Sequence, residues 1–196
     1  MSEQRRICVY CGSSPGRRPD YIDAARSLGR TLVDRDYGLV YGGAKVGLMG
    51  GVANAVLEAG GEVHGIIPES LVDKELAHDG LTELHIVPSM HARKMLMADL
   101  SDGFIALPGG IGTLEEIFEI WTWAQLGYHA KPYAFLNAAG YYDRLIAFLD
   151  HQSNEGFVRK ELRDDLIIEA EPGRILDAFE NYQPVTVEKW VDRSEL

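Results

Sequence analysis

Short runs of consecutive apolar residues alternate with longer segments whose apolar positions recur every three or four residues. The short runs predict six strands, over residues 6–10, 39–41, 63–67, 84–87, 104–107 and 133–136. The longer segments predict helices over residues 20–35, 48–59, 90–100, 113–127, 142–154 and 174–182. Such alternation is typical of an α/β fold, so the sequence predicts a single Rossmann-like domain over residues 1–196, in which helices flank a parallel sheet. The tail after about residue 184 lacks this pattern, and we expect a loose extension or an oligomer contact there.

The composition narrows the class of protein. Hydrophobic residues make up 46% of the chain and charged residues 25%, which argues against a disordered or fibrous protein. No run reaches the roughly 18 apolar residues that a membrane span requires, and the first residues lack the apolar core of a signal peptide. We therefore expect a cytoplasmic protein. The formal net charge of −11 disfavours nucleic acid and anionic membranes as partners.

Cys8 and Cys11 are the only cysteines, in the spacing C-x-x-C. That spacing can form a redox pair or half of a zinc site. The chain has no second pair, and no predicted helix begins where a thioredoxin-like motif would need one. We therefore expect two structural thiols.

Three glycine-rich segments follow predicted strands, at residues 11–14, 42–50 and 108–113. Loops that follow parallel strands meet at one edge of the sheet, where ligands bind in such folds. Glycine admits a ligand close to the backbone, and the start of the next helix offers unpaired N–H groups to a phosphate. The chain lacks G-x-x-x-x-G-K-[ST], and Glu115 replaces the third glycine of a dinucleotide-binding motif. The loops therefore predict a phosphate-bearing ligand and disfavour NAD.

The segment at residues 90–94, Met-His-Ala-Arg-Lys, places His91, Arg93 and Lys94 in the first turn of a helix that Ser89 is expected to cap. The helix dipole disfavours cations there by about 0.3–1 kcal/mol each. A bound anion would offset this cost, and arginine can hold an anion with two donors. The alternative is a solvated charged turn, or ion pairs with acidic residues elsewhere.

Thr113 and Glu116 have the spacing of a capping box, in which Thr113 caps the helix and Glu116 reaches back to its N–H. The same spacing suits a carboxylate that faces ribose hydroxyls or a water molecule in a ligand bound over the helix end. Spacing alone leaves both interpretations open.

Two longer motifs resemble a known family. Residues 108–116 fit P-G-G-x-G-T-x-x-E, and residues 90–94 fit M-H-x-R-K, without a departure from either pattern. The similarity continues through residues 11–14, 41–43, 47–50 and 122–127, and it covers nearly everything up to about residue 182. Together these residues resemble the LOG (lonely guy) family, the cytokinin riboside 5′-monophosphate phosphoribohydrolases.

The resemblance implies hydrolysis of the N-glycosidic bond of N6-modified adenosine 5′-monophosphates to a free base and ribose 5-phosphate. It implies that Arg93 and Glu116 are catalytic, and that the protein is a homodimer with its sites near the subunit interface. The region of Trp121 and Trp123 is then a candidate interface contact, although core packing is expected for at least one ring. Substrate contacts are implied for Glu75, Met90, Arg93, Lys94, Gly109, Gly110, Ile111, Gly112, Thr113, Leu114, Glu115 and Thr122.

No group of residues has convincing metal-ligand spacing, so we expect neither a metal nor another cofactor, and we expect the six histidines to be structural or exposed. The label lysine decarboxylase, often attached to this family, has no support here, because no sequence context suggests pyridoxal phosphate on a lysine. Two alternative functions remain, a general AMP nucleosidase and a nucleotide or cofactor carrier without chemistry. A carrier has no need of the Arg93 and Glu116 pair. A DNA-binding relative is disfavoured by the net charge.

Overall fold

The computed structural model describes residues 4–72 and 77–185. Within them the strands, numbered β1 to β7 in chain order, are Arg6–Tyr10, Gly38–Tyr41, Val63–Pro68, Glu83–Val87, Gly103–Ala106, Tyr133–Leu136 and Ile167–Glu169. The α-helices, numbered α1 to α7, are Pro19–Asp34, Gly47–Glu58, Met90–Asp99, Ile111–Gln125, Asp143–Asn154, Lys160–Asp164 and Pro172–Glu180. Short 3-10 turns lie at Glu69–Leu71 and Ala138–Gly140.

The strands form one parallel sheet in the order β4-β3-β2-β1-β5-β6-β7. The chain builds outward from β1 to β4, then returns to the other side of β1 to add β5, β6 and β7. The loops after β1 and β5 therefore diverge at the carboxyl edge of the sheet, which is the position where open α/β sheets bind ligands. This topology confirms the predicted α/β fold of Rossmann type.

Helices cover both faces of the sheet, and the core has two layers. In β1, Ile7 and Val9 face the layer formed with α1, α2 and α7, whereas Cys8 and Tyr10 face the layer formed with α3, α4 and α5. Strands buried on both faces read as continuous apolar runs, which is why the central strands could be predicted from the sequence.

The predicted element ends were mostly correct within one or two residues. Ser89 caps α3, because its side chain accepts a hydrogen bond from the Ala92 N–H at 3.1 Å. Gly60 ends α2 with a φ of +83°, a conformation that glycine adopts without steric cost. The sequence prediction missed β7 and α6, which have three and five residues and are too short for a periodic pattern. Among the described residues, none of the helices has the length and apolar character that crossing a membrane requires.

The contact between α1 and α2 depends on Gly29. A β-carbon at this position would lie 2.8 Å from the Ala55 β-carbon and 2.8 Å from the Val52 carbonyl oxygen. Because one of these atoms belongs to the backbone, a side chain at Gly29 would force the two helices apart.

We expect Gly29→Ala to destabilise the protein, since overpacking costs about 1–3 kcal/mol and exceeds the gain of about 1 kcal/mol in helix propensity. Urea unfolding followed by circular dichroism measures the change in the free energy of unfolding. Gly173→Ala in α7 is the matched control, because its β-carbon would meet nothing within 4 Å. Equal stability of the two variants would contradict the close approach of α1 and α2.

Candidate active site

The three glycine-rich loops contact one another at the carboxyl edge of the sheet. The Gly12 N–H donates to the Pro108 carbonyl at 3.1 Å, and the Leu48 N–H donates to the Gly12 carbonyl at 3.0 Å. Gly47 has a φ of +58°, and a β-carbon there would lie 2.3 Å from the Ser13 carbonyl carbon. These glycines therefore allow the loops to pack against each other. The sequence interpretation explained the same glycines by the close approach of a ligand.

A cavity of about 130 Å³ opens between the loops after β1 and β5, and Gly12, Ser14, Gly109, Gly110 and Tyr141 are among its lining residues. It has roughly the volume of four water molecules at about 30 Å³ each.

Helix α4 begins beside this cavity, at the open end of the glycine-rich loop. Gly110 is its N-cap and supplies no side-chain cap, so the first N–H groups have no partner within the helix. A β-carbon on Gly110 or Gly112 would meet nothing within 4 Å. This exposed helix start has the polarity and the access that an anion requires.

Two tyrosines hold the loop after β5 in place. The Tyr141 hydroxyl donates to the Gly109 carbonyl at 2.5 Å, and the Tyr142 hydroxyl donates to the Leu107 carbonyl at 2.6 Å. Sequence reasoning missed both residues, because nothing in their spacing relates them to a loop more than thirty positions earlier.

The capping-box interpretation of Thr113, one of the two that the spacing left open, is wrong. Helix α4 begins at Ile111 rather than Thr113, because the extended backbone of Gly110 lets the helix start two residues earlier. Thr113 is buried inside the first turn, and its hydroxyl oxygen lies 2.1 Å from the position of a β-carbon on Gly109. Glu116, which is 9% exposed, therefore needs an explanation other than capping.

Arg93 is buried at the start of α3 and is 3% exposed. One of its terminal nitrogens, Nη2, donates to the Gly42 carbonyl at 3.0 Å, and the other, Nη1, lies 3.7 Å from the Met90 sulfur. A β-carbon on Gly42 would lie 2.1 Å from Nη2. The glycine after β2 thus makes room for the guanidinium at the carboxyl edge of the sheet.

Arg93 and Glu116 act on the same thiol at the end of β1. Burial is the main cause that raises the pKa of Cys11; the Glu116 carboxylate raises this pKa further, and the Arg93 guanidinium opposes the rise. Cys11 precedes Gly12, which lines the cavity. Both buried side chains therefore lie near enough to Cys11 to affect its thiol.

Lys94 forms ion pairs with acidic residues of α4, one of the alternatives that the sequence left open. Its ammonium nitrogen lies 2.6 Å from a Glu115 carboxylate oxygen and 3.0 Å from a Glu119 carboxylate oxygen. Burial opposes the charged form of Lys94, but the hydrogen bonds to these carboxylates raise its pKa overall. The pairs connect α3 to the first turns of α4.

The remaining predicted site residues are spread more widely. Met90 and Ile111 are exposed, and Leu114 is partly buried. Thr122 lies roughly 16 Å along α4 from Ile111, at about 1.5 Å per residue, and its hydroxyl donates to the Phe118 carbonyl at 2.7 Å. Glu75 lies outside the described residues. The chain by itself does not bring Thr122 to the glycine-rich loops.

Two larger cavities lie along the helices, away from the glycine-rich loops. One, of about 400 Å³, is lined by residues that include Met95, Trp123 and Tyr128. The other, of about 380 Å³, includes Thr122 and Phe148. Neither is lined by Arg93, Glu116 or the glycines, so size alone does not mark the reactive site. Trp121 is buried against aromatic rings of the core, as expected for at least one of the two tryptophans.

Known proteins match most of the chain. A family model described as "Possible lysine decarboxylase" matches residues 49–179. The cytokinin riboside 5′-monophosphate phosphoribohydrolase LOG3 of Arabidopsis thaliana is 48% identical over 93% of this chain and 85% of its own length. The cytokinin riboside 5′-monophosphate phosphoribohydrolase of Rhodococcoides fascians is 50% identical over 84% of this chain and 83% of its own length.

A solved structure shares the fold at lower identity. The molybdenum cofactor binding protein of Rippkaea orientalis superimposes with a TM-score of 0.70 at 22% identity, over 92% of this chain and 98% of that chain. This likeness concerns the fold alone.

We expect Gly42→Ala to displace the Arg93 guanidinium and to destabilise the protein by about 1–3 kcal/mol, a typical cost of overpacking. In an Arg93→Ala background the same substitution should cost much less, since the clashing nitrogen is gone. Urea unfolding of the four proteins in this double-mutant cycle measures the coupling. Additive effects would show that Gly42 and Arg93 do not depend on each other.

We expect Cys8 and Cys11 to be unreactive in the folded protein. Burial is the largest cause that raises the pKa of both thiols, and both side chains are shielded from solvent. Because the thiolate is the reactive form, Ellman's reagent at pH 8 should label neither cysteine before unfolding and both afterwards. Rapid labelling of the native protein would contradict their structural role.

Proposed function

The chain belongs to the LOG family, the cytokinin riboside 5′-monophosphate phosphoribohydrolases, and on that premise we propose that it hydrolyses the N-glycosidic bond of N6-modified adenosine 5′-monophosphates. The products are the free base and ribose 5-phosphate. The observation that carries this proposal is the pair of buried charges, Arg93 and Glu116, placed beside open glycine-rich loops. A protein that only carried a nucleotide would have no need of both.

The loop at residues 108–113 binds the 5′-phosphate in this proposal. The first N–H groups of α4 and the positive end of its dipole face an anion at the cavity, and Gly110 and Gly112 leave the backbone accessible. The buried Thr113 side chain supports the loop, because it fills the space beside Gly109.

Glu116 acts at the reacting carbon. Cleavage of a glycosidic bond develops positive charge on the ribose, and a carboxylate stabilises that charge or orients the attacking water. The water supplies the hydroxyl group that ends on C1′ and the proton that ends on the departing base. We assign this role to Glu116 rather than Glu115, because the Glu116 side chain is buried whereas Glu115 is exposed to solvent. In this proposal Glu115 contacts ribose hydroxyls.

Arg93 positions the nucleotide and the carboxylate in this scheme. Its guanidinium is held by the Gly42 carbonyl at 3.0 Å, so its orientation is set before substrate arrives. A donor fixed in advance loses little conformational entropy when it binds an anion. This is consistent with a catalytic role for Arg93 alongside Glu116.

We also propose that two copies associate as a homodimer, with the sites near the interface. Several large apolar side chains are exposed on α3, α4 and α5, among them Met90, Met95, Ile111 and Phe148. A site completed by a second copy would also explain the distance of Thr122 from the loops of its own chain. The free thiols Cys8 and Cys11 suit the reducing cytoplasm, which is the location that we propose.

The test of this mechanism is Glu116→Gln. The substitution keeps the size of the side chain and removes its charge, so turnover should fall by about 10²–10⁴-fold while AMP binding is retained. Base release measures turnover and calorimetry measures binding. Glu155→Gln, at an exposed position in the turn after α5, is the matched control and should leave both unchanged.

A loss of binding and stability in Glu116→Gln would assign Glu116 a structural role. Full turnover would remove it from the mechanism. Either result contradicts the proposal, and the control shows whether an effect is specific to this carboxylate.

A further inference from the structure

A second cluster of polar side chains lies at the amino ends of the strands, where β3 and β4 begin. His64 and Glu83 are register partners on adjacent parallel strands, and His85 is two residues beyond Glu83, on the same face. One ligand atom from each of these three residues falls within 4.8 Å of the others. The cluster is far from the glycine-rich loops, which follow the carboxyl ends of the strands, and the proposed mechanism does not use it.

The distances within the cluster are too long for good hydrogen bonds. One oxygen of Glu83 lies 3.4 Å from His64 Nδ1 and 3.5 Å from His85 Nε2. Two ligands of a tetrahedral zinc ion, each at 2.0–2.1 Å from the metal, are separated by about 3.3 Å. The two distances from Glu83 therefore match the edge of a tetrahedral coordination shell, and all three ligand atoms lie within 4.8 Å of one another.

Buried nitrogen atoms in the cluster also lack hydrogen-bond partners. Within the described residues, neither ring nitrogen of His64 nor Nε2 of His85 makes a hydrogen bond, although these atoms are shielded from solvent. His64 is 7% exposed. A buried polar atom without a partner is destabilising, and an ion coordinated at this point would give these nitrogens a partner.

The chemistry of the donors selects the class of ion. Two imidazoles and one carboxylate suit zinc and similar divalent transition metals, and calcium and magnesium prefer oxygen ligands throughout.

A further carboxylate, that of Glu62, lies next to His64. Glu62 lies 3.8 Å from His64 Nε2, on the side of the ring away from Glu83. Histidine ligands of metals commonly direct their second nitrogen at such a carboxylate, which fixes the ring orientation.

We propose that His64, Glu83 and His85 bind one divalent transition-metal ion of the zinc class, with a water molecule as the fourth ligand. The ion clamps β4, the outermost strand on that side of the sheet, to β3. Such a site stabilises the sheet edge and takes no part in cleavage of the nucleotide.

Zinc binding to the tag-free protein, stripped with EDTA and desalted, tests the proposal. Calorimetric titration with zinc chloride should show one ion per chain, and the melting temperature should rise with zinc. His85→Ala and the conservative Glu83→Gln should each weaken zinc binding at least tenfold. Circular dichroism verifies that both variants fold. The matched control is His151→Ala, because His151 and Glu155 form an exposed histidine–carboxylate pair that we do not assign to the site.

Three results would overturn the proposal: no stoichiometric binding by the wild-type protein, zinc binding by His85→Ala and Glu83→Gln as tight as that of the wild type, or equal loss in His151→Ala. None of these measurements depends on turnover. Failure of the metal site is therefore distinguishable from failure of the proposed hydrolysis.

Discussion

The hydrogen bond from Arg93 to the Gly42 carbonyl joins two parts of the chain on which the candidate site depends. It ties the start of α3 to the loop after β2, and the absent side chain of Gly42 makes the contact possible. On the other side of β1, Gly109 makes equivalent room for Thr113 at the start of α4. In both places a glycine allows a buried polar side chain to approach the end of a strand.

Much of this arrangement could be predicted from the sequence, because it depends on short-range patterns. Central strands buried on both faces appear as apolar runs, and the motifs at residues 90–94 and 108–116 are contiguous. Ser89 was recognisable as a helix cap for the same reason. The start of α4 could not be recognised in this way. Thr113 and Glu116 have the spacing of a capping box, although the helix begins two residues before Thr113, after Gly110.

Features that depend on contacts between distant segments could not be predicted. Tyr141 reaches the Gly109 carbonyl only after β5 and β6 pair, and His64 meets Glu83 only through the register of β3 and β4. His64 and His85 look unrelated along the chain for this reason. Lys94 was foreseen as an anion ligand or an ion-pair partner, and only the packing of α3 beside α4 shows the ion pairs.

The fold alone does not determine the chemistry, since a molybdenum cofactor binding protein shares it at 22% identity. What distinguishes the proposed hydrolysis is the use that it makes of two buried charged residues, Arg93 and Glu116.

The most direct test of the central claim is to incubate the purified protein with isopentenyladenosine 5′-monophosphate, and separately with AMP, and to quantify products by chromatography. We predict equimolar free base and ribose 5-phosphate, with faster release from the modified nucleotide. Tight nucleotide binding without release of any base would contradict the claim and favour a carrier.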